Sequence, residues 1–110
     1  KNNIPNDSDF VFDVRCLANP FWDKSLRALS GKDNQVKSFI KKDPASLELI
    51  TNIVKFLNEW IPKFLKSDRN YLTISIGCTG GQHRSVYITE NVSKELRKKY
   101  TILVKHRDIK

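Results

Sequence analysis

The sequence predicts an α/β fold, a small parallel sheet with helices packed on it, in the order β-α-α-β-α-β. Three observations carry this. Two short runs rich in β-branched residues, "FVFDVR" and "YLTISIG", are separated by a long stretch with apolar residues at helical spacing. The second run passes straight into a glycine-rich segment, "GCTGGQHRSV", and a further helical pattern then leads to a third short apolar run, "TILVKHR". Strands joined by helical crossovers build a parallel layer.

Taken in order, residues 10–15 alternate bulky apolar and polar side chains and predict a first strand. The following "CLANPFWDKSLRALSGKDN" contains Pro20 and Gly31 and lacks a sustained period, which predicts a long loop of the kind that carries function. Asp33 caps a short helix with Val36, Phe39 and Ile40 on one side, ending before Pro44. Asp43 then suits an N-cap and Pro44 the first helical position of the main core helix. Its apolar positions are Leu47, Ile50, Ile53, Val54, Leu57, Trp60, Ile61 and Phe64. Pro62 lacks a backbone donor and should kink or end that helix near Ile61. Residues 71–77 form the second strand, Ile88, Val92 and Leu96 mark one face of the next helix, and residues 101–107 form the third strand. Trp22 and Trp60 are expected as core anchors, Cys16 as a buried thiol and His106 as a packed strand-end residue.

With 110 residues and 39% hydrophobic content, the chain fits one domain. It has no methionine and begins "KNNIP", so it is expected to be part of a longer protein. No run approaches the roughly 18 apolar residues of a membrane span, and no signal-like segment precedes the first strand, which points to the cytoplasm. Two cysteines without CxxC spacing argue against a disulfide framework and against structural zinc. A net charge of +8 favours polyanionic partners. Lys94, Arg97, Lys98, Lys99, Lys105, Arg107 and Lys110 concentrate charge at the C-terminal end, as an RNA-phosphate footprint or as an ordinary solvated face.

In parallel sheets, ligands sit beyond the carboxyl ends of strands, where a βα loop meets the next helix, and the glycine run occupies that place. Gly77, Gly80 and Gly81 permit positive φ and close backbone approach. The N–H groups of residues 82–85 and the cation of Arg84 favour an anion. No lysine precedes Ser85, so this is not a Walker A loop. Cys78, Arg84 and Ser85 do match the C-x5-R-S arrangement of cysteine-dependent phosphatases, in which a thiolate attacks phosphorus. Asp13 is the candidate proton donor for that chemistry. Against it, Gly77 stands where such enzymes have His and Val86 where they have Gly, and Cys78 also reads as a small buried thiol or a wall of the ligand pocket.

With "DFVFDVRCLANPFWD", "LRALSGKD", "YLTISIGCTGGQHRSVYI" and "VKHRD" in order, the chain resembles, over nearly its whole length, the C-terminal domain of the RapZ/YvcJ family of RNase adapter proteins. The resemblance implies a non-catalytic domain with a fold like half of phosphofructokinase. It also implies a nucleotide-binding N-terminal domain in the parent protein, where ATP or GTP would bind, with no cofactor in this domain. It further implies a pocket for glucosamine-6-phosphate or a similar anion, binding of small regulatory RNA, presentation of that RNA to RNase E or an equivalent, and a homo-oligomeric parent. Carried onto this chain, the pocket comprises Cys78, Thr79, Gly80, Gly81, His83, Arg84 and Ser85, with Asp13, Arg15 and Asn19 from the facing loop. Phe21 stands where many members carry His.

Overall fold

Two parallel strands frame the molecule: β1 (Phe10–Asp13) and β2 (Ile74–Gly77) pair with Phe10 opposite Ile74 and Asp13 opposite Gly77. The computed structural model describes residues 8–67, 70–78 and 82–106. Between the strands run a 3-10 turn at Pro20–Trp22, helix α1 (Asn34–Lys41) and helix α2 (Pro44–Lys66), and after β2 comes α3 (Arg84–Leu96). The predicted α/β class and the order β-α-α-β-α are therefore present. Both strands are shorter than their apolar runs, because pairing holds only where two backbones face each other. Val14 N–H adds one more bond to Gly77 O at 3.0 Å.

Helix α2 starts as expected, with Asp43 accepting from Ala45 N–H at 3.0 Å and Pro44 in the first turn. Its buried line is Ser46, Ile50, Ile53, Leu57 and Ile61. This rotates the inward face away from Leu47, which is exposed. Phe10 meets Phe56 edge-on at 5.4 Å and Phe64 at 5.0 Å, and Phe12 meets Phe56 at 5.9 Å, so one face of β1 is sealed by α2. Those contacts also explain why Pro62 does not end the helix. An interior proline costs about 3 kcal/mol, but buried Ile61 and the Phe64–Phe10 contact hold the turns on either side of it. Val36 and Ile40 of α1, and Ile88, Val92 and Leu96 of α3, complete the core.

Four expectations need correction. Residues 101–106 form no strand among the described residues. Their period of two survives, with Ile102, Val104 and His106 half-buried and Leu103 exposed, but no backbone among the described residues pairs with them. Trp22 is 76% exposed rather than a core anchor, because Pro20 takes the inward place on that short turn. Trp60 is likewise partly exposed, lying beside Phe56 with Lys63 Nζ 4.3 Å over its ring. Cys16 is exposed.

The glycines also divide differently from expectation. Gly77 lies in ordinary strand geometry, and a Cβ there would meet nothing, so neither positive φ nor close approach requires it. Gly31 does require its missing side chain: a Cβ would come within 2.6 Å of Tyr87 N and 2.9 Å of Val86 Cβ, and would strike the His83 carbonyl. Gly31→Ala should therefore lower stability by about 1–3 kcal/mol, the usual range for overpacking, whereas Gly77→Ala should change it by less than about 0.5 kcal/mol. Urea midpoints of the two variants check this, and equal midpoints would contradict the docking of residue 31 on α3.

Candidate functional site

The carboxyl ends of β1 and β2 lie side by side, and the chain leaving each reaches the start of α3. Cys78 directly follows β2, and its Sγ accepts the Ser85 N–H at 3.2 Å. This bond places the thiol on the first turn of a helix, where N–H groups lack intrahelical acceptors and the helix dipole is positive. Beyond β1, Arg84 Nη1 donates to Arg15 O at 2.8 Å and to Leu17 O at 3.3 Å. One buried guanidinium thus ties the loop after β1 to the N-terminus of α3.

Arg84 is only 4% exposed, and its Nε–H is buried without an acceptor among the described residues. A buried charge with one donor unmet is an unusual arrangement, since buried polar groups are nearly always satisfied. Asp13 and Arg15 sit at the exposed rim. Arg15 donates through Nε at 2.9 Å and Nη2 at 2.6 Å to the Asp13 carboxylate, and its backbone N–H adds a third contact at 2.9 Å. Those hydrogen bonds, foremost from the Arg15 side chain, hold the Asp13 carboxyl down to about 2.

The remaining expected residues take other positions. Asn19 Oδ1 accepts Phe21 N–H at 3.1 Å and caps the Pro20–Trp22 turn. His83 is buried, and its Nε2 donates to Leu26 O at 3.1 Å, which fixes that nitrogen as protonated. Ser85 is buried with its amide directed at Cys78. Thr79, Gly80 and Gly81 lie outside the described residues, as do Arg107 and Lys110. Lys94, Arg97, Lys98, Lys99 and Lys105 are exposed, and Lys98 pairs with Glu95 at 2.9 Å.

The Gln82 side chain carries part of the arrangement, a role the sequence reading did not give it. Gln82 Nε2 donates to Leu29 O at 2.6 Å and to Arg27 O at 3.2 Å, while Gly31 N–H donates to Gln82 O at 2.8 Å. With His83, these bonds clamp residues 26–31 against the start of α3. The partners of Gln82 are main-chain groups, which leave no trace in side-chain identity. Midway along α3, His106 Nε2 and Glu90 Oε2 lie 2.6 Å apart, pinning residues 101–106 to the helix. Among the described residues no cluster of His, Cys, Asp and Glu could hold a metal, and no helix is long and apolar enough to cross a membrane.

Comparison with known proteins agrees with the motifs. A nucleotide-binding protein of Hahella chejuensis is 50% identical over 110 residues, an alignment covering 99% of this chain and 38% of that protein. One from Marinobacter nauticus is 48% identical over 110 residues, covering 99% of this chain and 37% of its own length. A third, from Acinetobacter baylyi, is 49% identical with 100% and 39% covered. The chain thus spans about two fifths of the length of these relatives. The family model described as the RapZ C-terminal domain matches residues 1–110, and the chain belongs to that family.

Proposed function

We propose that this is the non-catalytic C-terminal domain of an RNase adapter, holding a sugar phosphate of the glucosamine-6-phosphate kind, or a similar anion, beside Arg84, and small regulatory RNA on its basic surface. The observation that carries the anion reading is the Arg84 Nε–H, buried and without an acceptor among the described residues at a helix N-terminus. A phosphate oxygen there would meet the open donor, the positive end of α3 and the guanidinium charge together. Arg15 stands at the rim of the same region, already paired with Asp13. Nucleotide binding, which the relatives' names carry, is assigned to the part of those proteins outside the aligned region, because this chain lacks a Walker A lysine. RNA delivery to RNase E or an equivalent nuclease, within a homo-oligomer, follows from the adapter reading.

A second reading, cysteine-dependent phosphatase, draws on the Ser85 N–H bond to Cys78 Sγ. Leaving-group chemistry opposes it. A carboxyl held at about 2 is ionised at neutral pH and has no proton to give to a departing alkoxide, so Asp13 is unsuited to general-acid work.

Two outcomes follow. Arg84→Lys keeps a positive charge but loses the planar fork, and should weaken binding of inorganic phosphate and glucosamine-6-phosphate about tenfold, as expected for lost hydrogen bonds to a charged group. Calorimetry on a variant with a native circular dichroism spectrum checks this, and an unchanged affinity would remove Arg84 from the site. For Asp13 the folded value lies below the ordinary 3.8. The ion pair therefore contributes fully above that pH, and its contribution is lost as pH falls toward about 2. In Arg15→Ala the Asp13 carboxyl should titrate higher by NMR; a titration identical to the wild type would show that Arg15 is not the cause.

A further inference from the structure

We propose that the Phe21–Trp22 pair, braced by Arg27, is a stacking platform for an unpaired base of single-stranded RNA, an inference that rests on the RNA-binding reading above. Trp22 is 76% exposed and Phe21 44%, an unusual display for two large aromatic side chains on adjacent positions. They are held rigidly. Pro20 is buried beneath the turn, Asn19 caps it, and the rings meet edge-to-face at 5.6 Å and 83°. The Arg27 guanidinium lies 4.5 Å over the Phe21 ring while its Nε donates to Phe21 O at 3.0 Å. One face of Phe21 is therefore occupied, and Trp22 is the ring left open to a ligand.

Rigidity matters because a preordered ring loses little conformational freedom on binding. Nucleobases stack on exposed aromatic rings with little regard for sequence, and a nearby cation serves the adjoining phosphate. Charge favours that occupant over an apolar peptide. The exposed cations of the surrounding loop are Arg15, Lys24, Arg27 and Lys32. Against them stand Asp13, which Arg15 pairs, Asp23, whose carboxylate accepts from Ser25 N–H at 3.0 Å and Ser25 Oγ at 2.7 Å, and Asp33, whose carboxylate accepts from Ser30 N–H at 2.7 Å, which leaves the cations in excess. The whole chain carries +8, which suits a polyanion. The platform also differs from the basic C-terminal end of α3 and the residues after it, where Lys94, Arg97 and Lys99 are exposed.

The test compares an oligouridylate with a blunt RNA duplex of equal length, by anisotropy across a salt series. Trp22→Ala should weaken oligouridylate binding about tenfold or more, in line with stacking losses per base. It should leave duplex affinity and the slope of affinity against salt unchanged, because stacking releases no counterions. Trp22→Phe should restore most of the loss. Alanine at Lys94, Arg97 and Lys99 should instead flatten the salt slope for both RNAs. In a Trp60→Phe background, oligouridylate should also quench the fluorescence of Trp22. Equal oligouridylate affinity in wild type and Trp22→Ala, with RNA still bound, would overturn the platform alone and leave the ring as a protein contact. Equal losses for duplex and single strand would overturn it too, as a merely structural effect. Failure of the wild type to bind either RNA at low salt, with phosphate still bound, would overturn the RNA reading together with the platform.

Discussion

The Arg84 guanidinium is the interaction on which the site depends. It is a full charge almost wholly removed from water at the first turn of α3. Such a group is tolerated only if dipoles or counter-charges surround it. Two carbonyls of the loop after β1 supply part of that compensation. They thereby fix where the loop runs, and the loop in turn positions Arg15 and the turn that carries Trp22. The remaining Nε–H is the residue of that balance, a donor that a tetrahedral anion would complete.

Around this charge the long loop is stitched down in a definite sequence of bonds. Arg84 holds residues 15 and 17, His83 holds Leu26, and Gln82 holds residues 27 and 29. Gly31 then lies directly on the α3 backbone. Three consecutive side chains at the start of one helix therefore order most of a segment without regular secondary structure. An anion on the Arg84 Nε–H would share one guanidinium with the carbonyls of Arg15 and Leu17.

Much of this was legible in the sequence, and the reasons are specific. The start of α1 at Asp33, the Asp43 cap of α2, the buried face of α3 and the parallel pairing of two β-branched runs follow from local chemistry and periodicity, which act at short range, although the Asp33 carboxylate accepts from Ser30 N–H rather than from the first turn of α1. The placement of Cys78, Arg84 and Ser85 near one another followed from the rule that ligands gather at the carboxyl ends of parallel strands. The orientation of side chains did not. His83 and Arg84 point into carbonyls donated by residues far away in the chain, a partnership that residue identity does not encode. Trp22 is exposed because Pro20 fills the inward position, and residues 101–106 keep the pattern of a strand without one to pair with. In both cases the pattern was present but the neighbour that decides its outcome lies elsewhere in the chain.

The most direct test of the account is a phosphate titration followed by 1H–15N NMR that resolves both backbone amides and arginine Nε–H signals. If an anion completes the coordination of Arg84, the Arg84 Nε–H resonance should move downfield with the amides of the first turn of α3, saturating along one binding curve. The Arg15 and Leu17 signals should respond on that same curve, since their carbonyls share the guanidinium. Shifts confined to Lys94 and the exposed lysines after the end of α3, with Arg84 Nε–H unmoved at saturating phosphate, would contradict the account.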